Sequence, residues 1–251
     1  RPSHGLTFMA NYTWSRSIDN GGTFRTGYAL PAAFSGNGKA YAQDAIERSV
    51  STSNQPQHVV VTGVWDLPIG RSVLANNAWQ RAIFGGFKFS EIFQAFSGSP
   101  LAITAASCGT NPAQATCMPT YNPAYTAGGN ARQNGKWGEG VTRTNFNKIS
   151  FIDSNAFTTT PAYIFGNTAR TAPYNLYGPG NYNLDISLRR SFGLHLSESS
   201  RLSLQADMYN VTNHTQFSVS STSFGNSSFG QVSGGQANRS RAIQLSGRIE
   251  F

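Results

Sequence analysis

Six stretches of alternating apolar and polar residues, connections that are by turns long and short, and a charged fraction of only 12% predict the fold class. It is all-β: an antiparallel transmembrane β-barrel with long extracellular loops. Alternation with a period of two places successive side chains on opposite faces of a strand. Strands that meet lipid on one face and water on the other need few charges. The charged share is about half the roughly 25% usual for soluble domains, and the 26 glycines exceed the usual roughly 7%.

The first strand spans residues 5–18, with Leu6, Phe8, Ala10, Tyr12 and Trp14 on one face and Thr7, Met9, Asn11, Thr13 and Ser15 on the other. It is long enough, since about 9 to 11 tilted residues cross the hydrocarbon layer. Tyr12 and Trp14 suit an aromatic girdle at the membrane interface. From Asp19 to about Gln57 the pattern dissolves into Gly, Ser, Asn, Thr and Ala, the composition of a long polar loop. A second strand from His58 to Leu67 sets Val59, Val61, Gly63, Trp65 and Leu67 against His58, Val60, Thr62, Val64 and Asp66. Pro68 and Gly70 then stop the ladder, and a linker of moderate length runs to about Phe84.

The third strand, Gly86 to Ser97, puts Phe87, Phe89, Phe93 and Ala95 on one face, interrupted by Glu91. A carboxylate facing lipid at mid-depth costs less than the roughly 2 to 4 kcal/mol of a basic residue there, yet it is still unfavourable. Either a bulge re-aims Glu91 or the residue sits near an interface. From Ser97 to about Pro179 lies the longest irregular region, rich in Gly, Pro, Asn and Thr. A loop of that length argues against a compact soluble domain unless the loop is functional. In a barrel it is an extracellular loop carrying short hairpins of its own.

Residues 182–194 alternate most clearly, with Tyr182, Leu184, Ile186, Leu188, Phe192 and Leu194 against Asn183, Asp185, Ser187, Arg189 and Ser191. After a polar turn from His195 to Ser200, Leu202, Leu204, Ala206 and Met208 stand opposite Arg201, Ser203, Gln205, Asp207 and Tyr209. Folding this hairpin brings Arg189 within one register step of Asp207 on the polar face, where opposite charges support the pairing. A polar loop from Asn210 to about Asn238 leads to the last strand. There Ile243, Leu245, Gly247, Ile249 and Phe251 oppose Ala242, Gln244, Ser246, Arg248 and Glu250.

Long loops follow strands one, three and five, and shorter turns follow strands two and four. If the last strand ends at the periplasmic side, every long loop falls outside and every short turn inside, as outer-membrane barrels require. Ile243, Leu245, Gly247, Ile249 and Phe251 resemble the C-terminal assembly signal of bacterial outer-membrane barrels, read by the barrel-assembly machinery. The same residues also fit a half-buried strand of a soluble sandwich.

The 19 Lys and Arg against 11 Asp and Glu give a net charge of +8. These cations are scattered as singles and pairs, with no run that tracks a phosphate backbone, so no nucleic-acid partner is expected. Cations lining a lumen or meeting lipid phosphates and lipopolysaccharide at the rim account for the sign. No apolar run reaches the roughly 18 residues of a membrane-crossing helix, so any crossing is made by strands. Arg1 leads into a strand pattern without a signal peptide, which an exported barrel needs. The expectation is a C-terminal piece of a longer protein.

Six phrases in order carry a family resemblance. They are Asn11-Tyr-Thr-Trp-Ser-Arg-Ser-Ile-Asp19, Val64-Trp-Asp-Leu-Pro-Ile-Gly-Arg71, Ser97-Gly-Ser-Pro100, Phe165-Gly-Asn-Thr-Ala-Arg170, Tyr177-Gly-Pro-Gly180 with Asn183-Leu-Asp-Ile-Ser-Leu188, and Asn210-Val-Thr-Asn-His-Thr-Gln-Phe217. Across essentially the whole chain they resemble the C-terminal barrel of Oar-like TonB-dependent outer-membrane receptors. The resemblance implies localisation in the bacterial cell outer membrane and uptake of an unidentified ligand. It also implies a complete form with a signal peptide, often a carboxypeptidase-regulatory-like domain, a plug, and a barrel of roughly 22 strands. Contact with the TonB complex would run through the plug, which is not in this chain. About six strands are fewer than the roughly 8 of the smallest closed bacterial barrel, and alone they would leave two open edges.

On this reading Asp185, Arg189, Gln205, Asp207, Gln244 and Arg248 face the lumen. An exported protein meets an oxidising compartment, so Cys108 and Cys117 are expected to form a disulfide within the long loop. The four histidines, His4, His58, His195 and His214, are dispersed, and no metal site or cofactor is expected. No Gly-x-Ser-x-Gly elbow, His-Glu-x-x-His helix or phosphate loop stands out, so no catalysis is expected. Asp44, Glu47 and Asp153 read as solvated loop charges. Tyr121, Tyr125, Trp137, Phe157 and Tyr163 either meet a ligand first or pack the loops on one another. Two other readings stay open: a non-transporting structural or adhesive barrel, and a secreted β-sandwich adhesin.

Overall fold

The six alternating stretches are strands, and each pairs with its neighbours in sequence order. The computed structural model describes residues 5–19, 48–69, 77–107, 118–126, 131, 150–162, 166–194, 200–232 and 238–251. Strand β1 (Leu6–Trp14) is followed by two short strands, β2 (Ile18–Asp19) and β3 (Ser49–Val50), and then by β4 (Gln57–Asp66). Helix α1 (Ala78–Phe84) precedes β5 (Phe87–Phe96). Three short strands, β6 (Thr104–Ala105), β7 (Thr120–Tyr121) and β8 (Phe157–Thr158), lie in the long loop. Then come β9 (Asn181–Gly193), β10 (Arg201–Tyr209), the short β11 (Ser223–Phe224) and β12 (Ala242–Glu250).

The long strands form one sheet in the order β1-β4-β5-β9-β10-β12, antiparallel throughout. An antiparallel meander of this kind needs only local connections between partners. Among the described residues β1 and β12 are each paired on one side only, so the sheet does not close on itself.

The register keeps the alternation in phase across all six strands. Phe8, Gly63, Glu91 and Ile186 line up across four of them, as do Leu188, Ala206 and Leu245 across three. One face is therefore almost wholly apolar. It is also uncovered: Phe8 is 69% exposed and Leu245 78%. The opposite face carries the amides and charges of β9, β10 and β12.

The register runs through Glu91 without a bulge, and Glu91 stands fifth of the ten residues of β5. The expected bulge is thus absent. What accommodates it is Gly63 directly opposite, whose missing side chain leaves room for the Glu91 side chain.

The hairpin of β9 and β10 forms with Arg189 one register step from Asp207 on the polar face, as expected. Arg189 faces Gln205 rather than Asp207, whose partner is Ser187. The two charges share a face but do not pair. Arg189 donates from Nη2 to Ser203 Oγ at 3.3 Å, and Asp207 accepts from Gln205 Nε2 at 2.8 and 3.0 Å.

The buried core lies in the loops, not on the sheet. Ile103, Phe151, Ile152, Phe157, Leu176 and Val232 are nearly solvent-free and belong to one cluster drawn from the loops after β5 and β10. Burying each such side chain contributes roughly 1.5 to 3 kcal/mol, enough to hold irregular chain in a defined cap. Parallel pairing of β6 with β11 and the bridges Ser150 to Gln231 and Pro100 to Tyr177 tie the cap together.

Candidate functional site

At the loop end of the polar face, Asp185 is the best-connected charge. Its Oδ1 accepts from the backbone N–H of Asn210 at 2.7 Å and from Asn183 Nδ2 at 2.8 Å. Beside it a hollow of about 460 Å³ is lined by Asn183, Asp185, Tyr209, Arg239 and Gln244. A carboxylate, a guanidinium, amides and a phenol around one space offer donors and acceptors to a polar ligand. A second hollow, about 420 Å³, lies across the same end between Trp14, Asn54, Gln57 and Tyr177.

The register puts Asp185, Arg189, Gln205, Asp207, Gln244 and Arg248 on one face of the sheet. Asp207 faces Gln244, and Ser203 faces Arg248, whose Nε lies 3.0 Å from Glu250. On the opposite face Ile243, Leu245 and Ile249 are exposed, and Phe251, just beyond β12, is 92% exposed.

The loop cap over this end is fastened at a few joints, each bringing together residues remote in sequence. Arg170, with a side chain only 3% exposed, pairs with the Asp19 carboxylate. Next to it Thr171 Oγ1 donates to the Val50 carbonyl and lies 3.0 Å from Ser49 Oγ. Gly98 passes so close to Gly178 that a Cβ there would stand 1.9 Å from the Gly178 carbonyl oxygen. Backbone contact of that kind requires glycine. Asn210, at φ +48°, donates to the carbonyls of His214 and Arg239, both at 3.0 Å, while its Oδ1 accepts from the His214 N–H. The His214 ring stacks on Tyr182 at 3.8 Å.

The aromatics of the long loop pack on one another. The Tyr174 ring meets Tyr121 at 4.7 Å, Tyr125 at 5.5 Å and Phe157 at 5.9 Å. Burial pushes the phenol pKa of Tyr121 upward, partly offset by the hydrogen bond it accepts from Ala169 N–H. Burial also raises Tyr125, helped by the charge of Asp153, whose carboxylate accepts its hydroxyl at 3.3 Å. The packing alternative for Tyr121, Tyr125 and Phe157 is what the structure contains. Trp137 and Tyr163 lie outside the described residues, as do Cys108, Cys117, His4, His195, Asp44 and Glu47. Among the described residues no three His, Cys, Asp or Glu side chains are grouped to hold a metal ion.

An antiparallel single-layer sheet with an exposed apolar face, a polar face and a cap of long loops is the arrangement of a barrel wall. Comparison with family models agrees: the model described as outer membrane beta barrel domain matches residues 1–244. The chain belongs to this family. It is accordingly a bacterial outer-membrane protein, and its apolar face is the one that meets lipid. No curated protein and no solved structure matches the chain. The long loops that build the cap and the connection that carries α1 lie at opposite ends of the sheet of this barrel domain.

Sequence reasoning missed three parts of the barrel domain. Helix α1 stands where only a linker was expected; its signal was Asn77 with Gln80 three residues on, and Gln80 Oε1 accepts from Asn77 N–H at 3.3 Å. Arg190, within the apolar series of β9, is 8% exposed and carries no pattern that announces its role. The Arg170 to Asp19 joint joins two of the resemblance phrases, but nothing local connects them.

Proposed function

We propose that this chain is the barrel wall and extracellular loops of an Oar-like TonB-dependent receptor that takes up an unidentified ligand. The observation that carries this reading is the six phrases in order, of which five supply residues that fasten the loops to the strand ends at the capped mouth. Asp19 and Arg170 meet, Gly98 meets Gly178, and Asn210 and His214 close on Asp185 and Tyr182. Asp185, Arg189, Gln205, Asp207, Gln244 and Arg248 then line a lumen against a plug outside this chain. The wall belongs to a barrel of roughly 22 strands, so the edges of β1 and β12 pair with further strands. The reading includes no catalytic step, no cofactor and no nucleic acid. Lipopolysaccharide meets the outer rim, and the barrel-assembly machinery grips the exposed Ile243, Leu245, Ile249 and Phe251.

The test is crosslinking of the complete outer-membrane protein to TonB in living cells. Crosslinks that disappear when the plug is deleted are expected. Their absence with the intact protein would remove the transporter reading and favour a non-transporting adhesive barrel. That second reading draws support from the packed loop core around Phe157 and Tyr174, which makes the cap a fixed outward platform.

A further inference from the structure

Arg190 decides on which side of the sheet helix α1 lies. By register it belongs to the apolar face, opposite Phe87 and Leu204. Its Nη1 donates to the carbonyl of Ile83 in the last turn of α1, and its guanidinium lies over the rings of Phe87 at 5.0 Å and Phe192 at 4.2 Å. A cation at a helix C-terminus is favoured by the helix dipole, and stacking on aromatic faces holds the guanidinium in place. The helix end is thereby fixed on the lipid-facing side, at the end of the sheet that carries the short connections.

The helix leaves its own apolar side chains in the open. Trp79 and Ile83, four residues apart on one helical face, are 56% and 52% exposed, and Phe84 is 38% exposed. Water is a poor neighbour for such side chains at the rim of a lipid-facing band. The sequence of α1, Ala-Trp-Gln-Arg-Ala-Ile-Phe, includes the exposed Arg81 and no acidic residue, a charge pattern complementary to phosphate headgroups. On the same face of the sheet, next to Arg190, a hollow of about 480 Å³ runs between Leu188, Phe192, Leu204 and Leu245 over the small residues Ala206 and Gly247. It continues the apolar surface from the helix into the lipid band.

We propose that α1 is an in-plane membrane anchor that docks on the phospholipid of the periplasmic leaflet, with Trp79 and Ile83 among the acyl chains and Arg81 at the phosphates. Arg190 is its positioning residue. The hollow beside it seats an acyl chain of the same leaflet. The anchor rests on membership of the outer-membrane family and on the geometry of α1, not on the transporter reading.

The experiment reconstitutes the complete protein in phosphatidylethanolamine and phosphatidylglycerol vesicles and isolates the Trp79 emission as the difference between wild type and Trp79→Phe. With lipid brominated on the acyl chains, that difference is expected to lose more than half its intensity, while aqueous acrylamide leaves it nearly unchanged. Quenching by acrylamide without quenching by bromolipid would overturn the anchor. Arg190→Leu, with folding checked by heat-modifiable electrophoretic mobility, is expected to expose Trp79 to acrylamide; unchanged quenching would overturn the role of Arg190. Should that variant fail to insert, Ile83→Ser tests the docking of α1 on lipid by removing one of its exposed apolar side chains. It is expected to weaken bromolipid quenching, and undiminished quenching would count against the docking.

Discussion

Gly63 stands directly across the β4 and β5 ladder from Glu91, and a Cβ at residue 63 would come within 3.0 Å of the Glu91 Oε1 and 3.2 Å of its Cγ. The only acid in the middle of the lipid-facing side of β5 is thus laid over the only glycine of β4. Gly63→Val fills that space and forces the carboxylate outward, an overpacking that costs about 1 to 3 kcal/mol. Glu91→Leu is expected to act in the opposite sense, raising stability by about 1 kcal/mol through removal of a charge from lipid. Urea unfolding in phospholipid vesicles measures both, and a Gly63→Val midpoint equal to wild type would show that Glu91 has room elsewhere.

The Arg170 and Asp19 pair clamps the first loop to the second. Replacing Arg170 with Ala leaves the carboxylate without this partner and empties a buried site. The expected loss is about 2 kcal/mol, below that of a fully buried pair because Asp19 is a third exposed. It should appear as local opening, with faster proteolysis near Ser49 and Val50 and an unchanged barrel mobility on gels.

The tyrosine cluster makes the cap sensitive to alkali. Tyr121, Tyr125 and Tyr174 have pKa values raised above 10.0, each chiefly by burial. A raised folded-state pKa favours the neutral phenol, so the associated stability is complete below pH 10.0 and is lost as pH rises through the folded values. Near-ultraviolet circular dichroism of the cap should fade above that pH while the strand signal in the far ultraviolet persists. Tyr125→Phe, which removes one of the three phenols, should shift the loss to higher pH.

On the proposed reading, the apolar stripe of β12 is what the barrel-assembly machinery grips. Deleting Phe251, or changing Leu245 to Ser, is expected to lower the yield of folded protein in the outer membrane severalfold, and quantitative immunoblotting of membrane fractions measures it. Equal yields would separate the stripe from assembly.

Much of the architecture was legible in the residues themselves. The period-two alternation from Leu6 to Trp14, or from Tyr182 to Phe192, is local: backbone geometry sends neighbouring side chains to opposite faces, so the pattern names both strand and face. The placement of Asp185, Arg189, Gln205, Asp207, Gln244 and Arg248 on one face follows from that parity, as does the apolar stripe of Ile243, Leu245 and Ile249. The alternation of long and short connections likewise required only counting.

What the tertiary structure alone decided depends on contacts between residues far apart in the chain. Parity places Arg189 and Asp207 on one face, but a shift of two residues preserves parity, so only the formed ladder set Arg189 against Gln205. The β4 and β5 ladder likewise put Gly63 under Glu91. The cap was read as polar loop because its buried side chains, such as Ile103, Phe157, Leu176 and Val232, come from separate segments with no common period. Irregular backbone has no repeat to announce a core; only the packed fold shows that Asp19 finds Arg170, that Gly98 touches Gly178, and that Arg190 holds a helix against the membrane side of the sheet.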